Sequence, residues 1–244
     1  DSFPNGRPDM TKGGIIFTDR ATVDKVEKMK VCTCLNPLHT TLAVYGCLLG
    51  YTLISAEMKD PQLKKFVETV GYVEGLPVVV NPGILDPKKF IDEVVNIRIP
   101  NPFLPDTPQR IATDTSQKLP IRFGITINSY MNDAPEKLPE LKLIPLVIAG
   151  WLRYLLGIDD SGKAFEISSD PMADFFRNEL KAAGICFGME ESVAGKLTKI
   201  LSNETVFGID LNKTGLTPAI ERYLDSMIKA EGNVRKTLHA AIAD

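Results

Sequence analysis

The chain has 244 residues, of which 44% are hydrophobic and 24% are charged, and its formal net charge is −3. These proportions are ordinary for a globular protein with one large domain or two small ones. The slightly acidic charge argues against broad binding to nucleic acids or anionic membranes. No apolar run approaches the roughly 20 residues that a membrane-spanning helix needs.

The cysteine and histidine content argues against a metal centre. The sequence has four cysteines and two histidines, and Cys32 and Cys34 are separated by a single residue. That spacing is too close for a typical zinc pair. We expect Cys32, Cys34, Cys47 and Cys186 to be buried thiols in a reducing, cytoplasmic compartment. No Gly-x-Gly-x-x-Gly segment follows a predicted strand, so no dinucleotide site is expected in this sequence.

In chain order, a connector leads into a series of helices. Residues 1–13 are polar and rich in turn formers, the run Gly14–Thr18 is typical of a short strand, and Thr22 opens a helical pattern. The pairs Asp60-Pro61 and Asp86-Pro87 each predict a capping aspartate followed by a first-turn proline. Helices are predicted over residues 22–29, 36–50, 61–72, 87–96, 139–157, 171–184, 190–201 and 216–243.

The remaining segments carry weaker signals. Leu76–Val80 fits either a buried strand or a loop across the core, and residues 101–108 are too rich in proline to be regular. Residues 109–120 are polar and interrupt the apolar periodicity, which predicts a surface loop, and residues 121–130 are amphipathic. The predicted architecture is a mainly helical domain with few short strands.

A break in the helical pattern isolates a polar pair. Pro37 is favoured at the first position of a helix, so we predict a break near Leu35, with Asn36 as the N-cap of a helix that runs to about Gly50. Asn36 and His39 are three residues apart and lie side by side on such a helix. The positive end of the helix suits an oxygen that gains negative charge.

Two interpretations of these polar residues are open. In one, the break lets the amine of Lys30 swing toward Asn36 and His39 to complete a site. In the other, Asn36 is only a cap, His39 is a hydrogen-bonded core histidine and Lys30 is a solvated charge. Arg110 and Lys118 could likewise hold a carboxylate or several hydroxyls, or simply belong to the surface loop.

Several motifs in a fixed order resemble one enzyme family. The similarity extends over nearly the whole chain and is to the C-terminal domain of the mannitol dehydrogenase family, which comprises long-chain, metal-independent polyol dehydrogenases. Fructuronate reductase (mannonate oxidoreductase), tagaturonate reductase and mannitol 2-dehydrogenase belong to that family, and the reductase of fructuronate is the member most resembled. The motifs are Phe3-Pro-x-Gly6-Arg7-Pro8, Lys30 with Asn36-x-x-His39, Arg110-Ile-Ala-x-Asp114-x-Ser116-Gln117-Lys118, and Gly150-Trp-Leu-Arg-Tyr-x-x-Gly157-Ile-Asp159.

The resemblance implies a fold and a domain organisation. Residues 1–244 would be a mainly α, multi-helical substrate and catalytic domain, similar to the C-terminal domain of 6-phosphogluconate dehydrogenase. An N-terminal Rossmann domain that binds NAD would lie outside this chain, which would explain the missing glycine motif and the missing initiator Met. The active site would lie between the two domains, so the chain alone is expected to be inactive.

The resemblance also implies roles for individual residues. Lys30 corresponds best to the catalytic lysine, which acts as general acid and base, while Asn36 and His39 correspond to the residues that stabilise the oxyanion. Arg110 and Lys118 match positions that contact substrate. No residue of this chain is expected to bind the cofactor or a metal.

The sequence departs from the family pattern at two points. Family members usually have four residues between the lysine and the asparagine, whereas five separate Lys30 from Asn36, and Val31 stands at the usual lysine position. Pro37 replaces a residue that is usually small. Lys28 is a second, weaker candidate for the catalytic lysine.

The expected reaction is the NAD-dependent interconversion of a keto sugar acid and its polyol acid, D-fructuronate and D-mannonate. A mannitol 2-dehydrogenase or a tagaturonate reductase would fit the same motifs. A catalytically inactive helical module for assembly or binding is another alternative. A sugar-phosphate dehydrogenase ranks lower because few extra basic residues surround the motifs.

Overall fold

In the computed structural model, which describes residues 3–243, nearly all regular structure is helical. The only β pairing within those residues is an isolated antiparallel bridge between Ile158 and Ala164. The predicted mainly helical fold class is therefore confirmed. The α-helices within residues 3–243 are α1 (Arg20–Met29), α2 (Asn36–Leu48), α3 (Ile54–Glu57), α4 (Pro61–Glu68), α5 (Pro87–Glu93), α6 (Pro108–Ala112), α7 (Thr115–Leu119), α8 (Ile125–Asp133), α9 (Leu143–Tyr154), α10 (Ala173–Ala182), α11 (Thr198–Leu201), α12 (Glu204–Phe207), α13 (Thr217–Ile228) and α14 (Asn233–Ala243).

Aspartate side chains begin several of these helices, as the sequence predicts. The carboxylates of Asp60 and Asp86 accept hydrogen bonds from the amides two and three positions further on, and a proline occupies the first turn of each helix. Such caps satisfy amides that have no partner within the helix. The cap of α1 is Asp19 rather than Thr22, whose amide donates to the Asp19 carboxylate at 2.8 Å.

The core is built around α9, every residue of which is buried. Trp151 is fully buried and packs edge to face on Phe176, with ring centroids 5.1 Å apart. Helix α2 approaches α9 closely because Gly150 has no side chain, and a Cβ at this position would lie 2.5 Å from the ring of Tyr45. The Tyr45 hydroxyl donates to the carbonyl of Leu146 at 3.0 Å. The contact fixes α2, which carries the candidate site, against the centre of the core.

Four π-helical turns interrupt or extend the α-helices within residues 3–243. In a π turn each amide donates to the carbonyl five residues back instead of four, so the turn holds one extra residue. Helices α4 and α5 end earlier than predicted because each continues as such a turn. The π turns are Lys30–Cys34, Thr69–Gly75, Val94–Arg98 and Pro120–Gly124.

Two predicted segments have a different structure. The strand predicted at Gly14–Thr18 is wrong, since these residues are exposed and are paired with no strand in the described part of the chain. An isolated strand gains nothing from β propensity when it has no neighbour to hydrogen-bond. The loop predicted over residues 109–120 is also wrong, because its ends form α6 and α7. The break between these helices falls at Asp114, which has a left-handed φ of 54°.

The helices of the C-terminal third are shorter and more often interrupted than the apolar periodicity predicts. The helix predicted over 216–243 is two helices, α13 and α14, separated by a turn in which Gly232 has a φ of 75°. Only Thr198–Leu201 is helical in the segment predicted as a helix over 190–201. Gly184 does follow α10 in the left-handed conformation, as predicted for its stop.

Three remaining expectations concern local burial and structure. Leu76–Val78 forms a 3-10 turn, which decides against a strand there. Cys32, Cys34 and Cys47 are buried free thiols as predicted, but Cys186 is exposed, which contradicts its predicted burial. Within residues 3–243, no helix is long and apolar enough to cross a membrane.

Candidate active site

The start of α2 presents the predicted polar pair. The helix begins at Asn36 rather than after it, and Leu35, with φ −130° and ψ −65°, occupies the cap position without a side-chain hydrogen bond. The prediction that Asn36 is the N-cap is therefore wrong, because the backbone turns one residue earlier. Pro37 lies in the first turn as predicted. The side chain of Asn36 is thus not needed as a cap, and its amide remains available for other contacts.

Asn36 and His39 are the least buried residues in the first half of α2. Every residue from Thr40 to Leu48 is buried, as are Pro37 and Leu38, whereas Asn36 and His39 are half-buried. Hydroxyl groups on the buried side bond back to the helix, as the Thr40 hydroxyl does to the Asn36 carbonyl at 3.1 Å. The polar pair therefore faces outward from an otherwise apolar helix, as its spacing predicts.

His39 opens onto a cavity of about 190 Å³. Burial lowers the pKa of the imidazole, and the charges of Arg122 and Arg110 lower it further, while the Asp106 carboxylate opposes the shift. The neutral imidazole is therefore favoured, and a neutral ring can donate one hydrogen bond and accept another. The residues that line the cavity are Leu35, His39, Ile54, Arg98, Ile99, Leu104 and Asp106.

Lys30 lies in the π turn that precedes α2. The Leu35 amide donates to the Lys30 carbonyl at 3.0 Å, which closes the five-residue hydrogen bond of that turn. The Lys30 amine lies 5.3 Å from the centre of the Phe90 ring, and the Arg98 guanidinium lies 5.2 Å from the same ring centre. Because Arg98 also lines the His39 cavity, Phe90 connects the surroundings of Lys30 to those of His39.

Lys28 faces a different region. It lines a cavity of about 220 Å³ together with residues that include Thr126, Ser129 and Asp133. His39 is not among the lining residues of that cavity. The two candidate lysines therefore have different neighbours, since Lys28 borders this cavity and the Lys30 amine lies beside Phe90.

Arg110 and Lys118 lie on separate short helices and have different surroundings. The Arg110 guanidinium is 64% exposed and pairs with Asp106, which itself lines the His39 cavity. The Lys118 amine donates to the Ile111 carbonyl at 2.8 Å and to the Thr113 carbonyl. Burial, with the charge of Arg122, lowers the pKa of Lys118. The structure thus brings Arg110 next to the cavity, whereas Lys118 ties together the backbone between α6 and α7.

Arg122 is a residue of this region that the sequence analysis missed. Its Nη1 donates to the Asn36 carbonyl at 3.3 Å and to the Thr40 hydroxyl, so it contacts the first turn of α2 directly. Burial lowers the pKa of Arg122 to about 10, so the guanidinium stays charged at neutral pH. Its position four residues after Lys118 would have indicated a shared helical face.

Glu57 is a second residue of this region that the sequence analysis did not select. Its carboxyl group is fully buried, and neither oxygen has a hydrogen-bond partner. Burial raises its pKa to about 9, and the Asp60 charge acts in the same direction. The carboxyl lies against Gly46 of α2, where a Cβ would overlap it. A protonated acid is therefore packed beneath the helix that presents Asn36 and His39.

Comparison with known proteins identifies the family of this chain. The family described as "Mannitol dehydrogenase C-terminal domain" matches residues 22–228. This range covers well over half of the chain. The chain therefore belongs to the mannitol dehydrogenase family and carries its C-terminal domain, as the motifs indicate.

Individual relatives agree with this assignment. The chain is 55% identical to D-mannonate oxidoreductase of Thermotoga maritima, an alignment that covers 99% of the chain and 45% of the relative. It is 34% identical to mannitol dehydrogenase 2 of Saccharomyces cerevisiae, over 78% of the chain and 36% of that protein. The chain spans about half the length of such relatives or less.

A solved structure has the same fold. Mannitol 2-dehydrogenase of Pseudomonas fluorescens, determined in a ternary complex with NAD and D-mannitol, superposes with a TM-score of 0.80 at 28% identity. The match covers 100% of this chain and 46% of that structure. The helical architecture described above is therefore that of a dehydrogenase domain of this family.

Proposed function

We propose that this chain is the catalytic C-terminal part of an NAD-dependent oxidoreductase that interconverts D-fructuronate and D-mannonate. The observation that supports this most strongly is the outward-facing pair Asn36 and His39 on a buried helix, beside a cavity bordered by Arg98 and Asp106. The preference for a sugar acid rests on the similarity to a D-mannonate oxidoreductase. A mannitol 2-dehydrogenase or a tagaturonate reductase fits the same geometry.

The residues of the chain would handle the proton and the oxygen of the substrate. Addition of a hydride to the ketone carbon turns the carbonyl oxygen into an alkoxide, which the Lys30 ammonium protonates. In the reverse direction the neutral Lys30 amine takes the hydroxyl proton before the hydride leaves. The Asn36 amide and an N–H of His39 donate hydrogen bonds to the developing oxyanion, and each such donor is typically worth about 3 kcal/mol.

NAD, when bound, supplies or accepts the hydride. Within residues 3–243, no glycine-rich turn joins a strand to a helix. We place the cofactor mainly on an N-terminal Rossmann domain outside this chain. That domain and a small hexuronate or polyol are the proposed partners, with the substrate held between the two domains.

Arg110 and Lys118 remain proposed substrate contacts, but they differ in how many of their hydrogen-bond donors are already used within the chain. Arg110 is exposed and lies beside the cavity through its pair with Asp106, so a substrate carboxylate or hydroxyl could replace that partner. Lys118 already donates to two backbone carbonyls. It has a third N–H to offer, and its hold on the backbone also shapes the region that Arg110 occupies.

The deciding experiment follows NADH absorbance with the full-length gene product. Fructuronate, tagaturonate and fructose are compared under the same conditions. Rapid oxidation with fructuronate and little with fructose is the expected result. Rapid oxidation with fructose instead would make the protein a mannitol 2-dehydrogenase, and no oxidation with any ketose would favour an inactive assembly or binding module.

A further inference from the structure

Arg122 links the segment after α7 to the first turn of α2. Its Nη1 donates to the Asn36 carbonyl at 3.3 Å and to the Thr40 hydroxyl. The Thr40 hydroxyl in turn donates to the same Asn36 carbonyl at 3.1 Å. One guanidinium thus holds two groups of the turn that carries Asn36 and His39.

The first turn of α2 has no side-chain cap. The cap residue Leu35 provides no side-chain hydrogen bond, and Pro37 has no amide hydrogen to donate. The chain also changes direction here, since Leu35 lies outside helical backbone geometry. A helix end without caps frays unless contacts from other segments hold it. Arg122 supplies such a contact.

The backbone that carries Arg122 is itself anchored. Gly124 lies so close to the Phe207 carbonyl that a Cβ would overlap it, and a Cβ on Gly208 would lie 3.0 Å from the Pro120 carbonyl oxygen of the π turn. The Asn128 side-chain amide donates to the Gly124 carbonyl at 2.9 Å and to the Gly208 carbonyl at 3.2 Å. The guanidinium therefore extends from a fixed backbone, and its hydrogen bonds hold the first turn of α2 relative to that backbone.

Arg122 also acts on His39 through its charge. The charged groups around the imidazole are Arg122, Arg110, Asp106 and the cavity-lining Arg98. Arg122 and Arg110 both disfavour the imidazolium, and Asp106 favours it. Arg110 is exposed and paired with Asp106, whereas Arg122 is half-buried and hydrogen-bonded to the helix of His39. Of these two arginines, Arg122 is the one that is hydrogen-bonded to the helix that carries His39.

We propose that Arg122 is a positioning residue of the active site, whose hydrogen bonds fix the first turn of α2 and thereby aim Asn36 and His39 at the substrate oxygen. This inference rests on the proposed function, because that oxygen belongs to the proposed reaction. Arginine suits the role because one nitrogen of its planar, charged guanidinium donates to both acceptors. Lysine would keep the charge but not that geometry.

Hydrogen exchange in the full-length protein tests the contact independently of activity. Arg122→Gln should speed exchange of the amides in residues 38–41 at least roughly tenfold, since a charge-assisted hydrogen bond on a buried turn is lost. The matched control is Arg177→Gln, which removes an exposed arginine on α10. Exchange in the Arg122 variant equal to that of the wild type would overturn the proposal.

Kinetics with the preferred ketose tests the catalytic consequence. Arg122→Gln should lower kcat by about a hundredfold through misplacement of the two donors, with a smaller change in KM. In the profile of kcat against pH, the limb that reports His39 should move to higher pH in Arg122→Gln, because the Arg122 charge no longer lowers the His39 pKa. That limb should keep its position in Arg177→Gln. Arg122→Lys should keep that limb in place and restore part of kcat, and it replaces the Gln variant if the latter fails to fold.

The outcomes separate the two proposals. Faster exchange together with wild-type kcat and an unmoved pH limb would make Arg122 a structural residue only and would overturn its positioning role. If none of the tested keto substrates supports NADH oxidation by the wild-type protein, the proposed function and the catalytic part of this inference are overturned together. An active wild type with an unaffected Arg122 variant would overturn the inference alone.

Discussion

Lys28 and Lys30 differ in their surroundings although they are two positions apart. The Lys30 amine lies beside the Phe90 ring, which it shares with Arg98 of the His39 cavity. Lys28 borders the other cavity, with Asp133. Lys28 thus lies at the end of α1 and Lys30 at the start of the following π turn, each with its own neighbours.

Replacing each lysine in the full-length enzyme separates the two candidates. Lys30→Met should lower kcat at least about a hundredfold, because the general acid and base is lost. Lys28→Met should leave kcat within roughly threefold of the wild type, as befits a surface substitution. Steady-state NADH oxidation measures both, and a larger loss in the Lys28 variant would reverse the assignment.

Glu57 should make stability depend on pH. Burial raises its pKa to about 9 in the folded chain, well above the ordinary value of a glutamate, so the folded state holds the proton more tightly than the unfolded state. The stabilisation is complete below the unfolded pKa and is lost as pH rises toward the folded pKa. From pH 5 to pH 8 the free energy of unfolding should fall by on the order of 2–4 kcal/mol from this group alone.

Urea unfolding of Glu57→Gln at these two pH values tests that expectation. The glutamine side chain cannot ionise. The free energy of unfolding of the variant, taken relative to that of the wild type, should therefore rise between pH 5 and pH 8. Glu190→Gln, at an exposed position, is the control and should show no such difference. A wild-type to Gln difference that stays constant with pH would contradict a buried protonated acid.

Residues of the site differ in how far the sequence could reveal them. Asn36 and His39 follow from their spacing and from the proline between them, which are local signals. Arg122 acts through a hydrogen bond to a segment 86 positions away, and only its helical spacing from Lys118 gave a signal. Glu57 gave none, because a single glutamate in a four-residue helix is buried only by long-range packing.

At the level of elements, the approach of α2 to α9 rests on one missing side chain. Gly150→Ala would place a Cβ 2.5 Å from the Tyr45 ring, so the helices would have to separate or the ring would have to move. Overpacking of this kind typically costs about 1–3 kcal/mol. Gly13→Ala is a suitable control, since nothing lies within 4 Å of a Cβ there.

Thermal unfolding of both glycine variants checks this prediction. A drop of several degrees in Tm is expected for Gly150→Ala, and almost none for Gly13→Ala. Since α2 bears the polar pair, kcat should fall along with Tm in the first variant. Equal Tm values in the two variants would show that the core adjusts at no cost.

The starts of α4 and α5 were predictable because an Asp-Pro pair is a local signal: the aspartate caps the helix and the proline occupies its first turn. The π turns were not, since nothing in the sequence of Val94–Arg98 distinguishes a five-residue from a four-residue hydrogen bond. The strand expected at Gly14–Thr18 failed for a non-local reason, because a strand needs a neighbour. Elements were thus predictable where short-range contacts decide them.

At the scale of the whole molecule, the chain has a continuous buried core but only part of the proposed active site. Within residues 3–243, its buried core extends from α2 through α9 to α13. It spans 45% of the Thermotoga relative, and NAD would be bound elsewhere. Folding and activity should therefore be separable properties.

Expression of residues 1–244 alone tests that separation. We expect a single cooperative urea transition, because the buried apolar residues form one continuous cluster, and no measurable NADH oxidation with fructuronate. The full-length protein assayed in parallel is the positive control. Turnover by the chain alone would show that the nucleotide site is not confined to a separate domain.

The π turn at Lys30–Cys34 also has an evolutionary consequence. A wider turn is a place where a chain can gain or lose one residue while the helices on either side keep their positions. Deletion of Val31 would return the lysine–asparagine spacing to four residues and convert the turn to an ordinary α-helical one. With Lys30 as the proposed catalytic lysine, the extra residue of this sequence lies within that single turn.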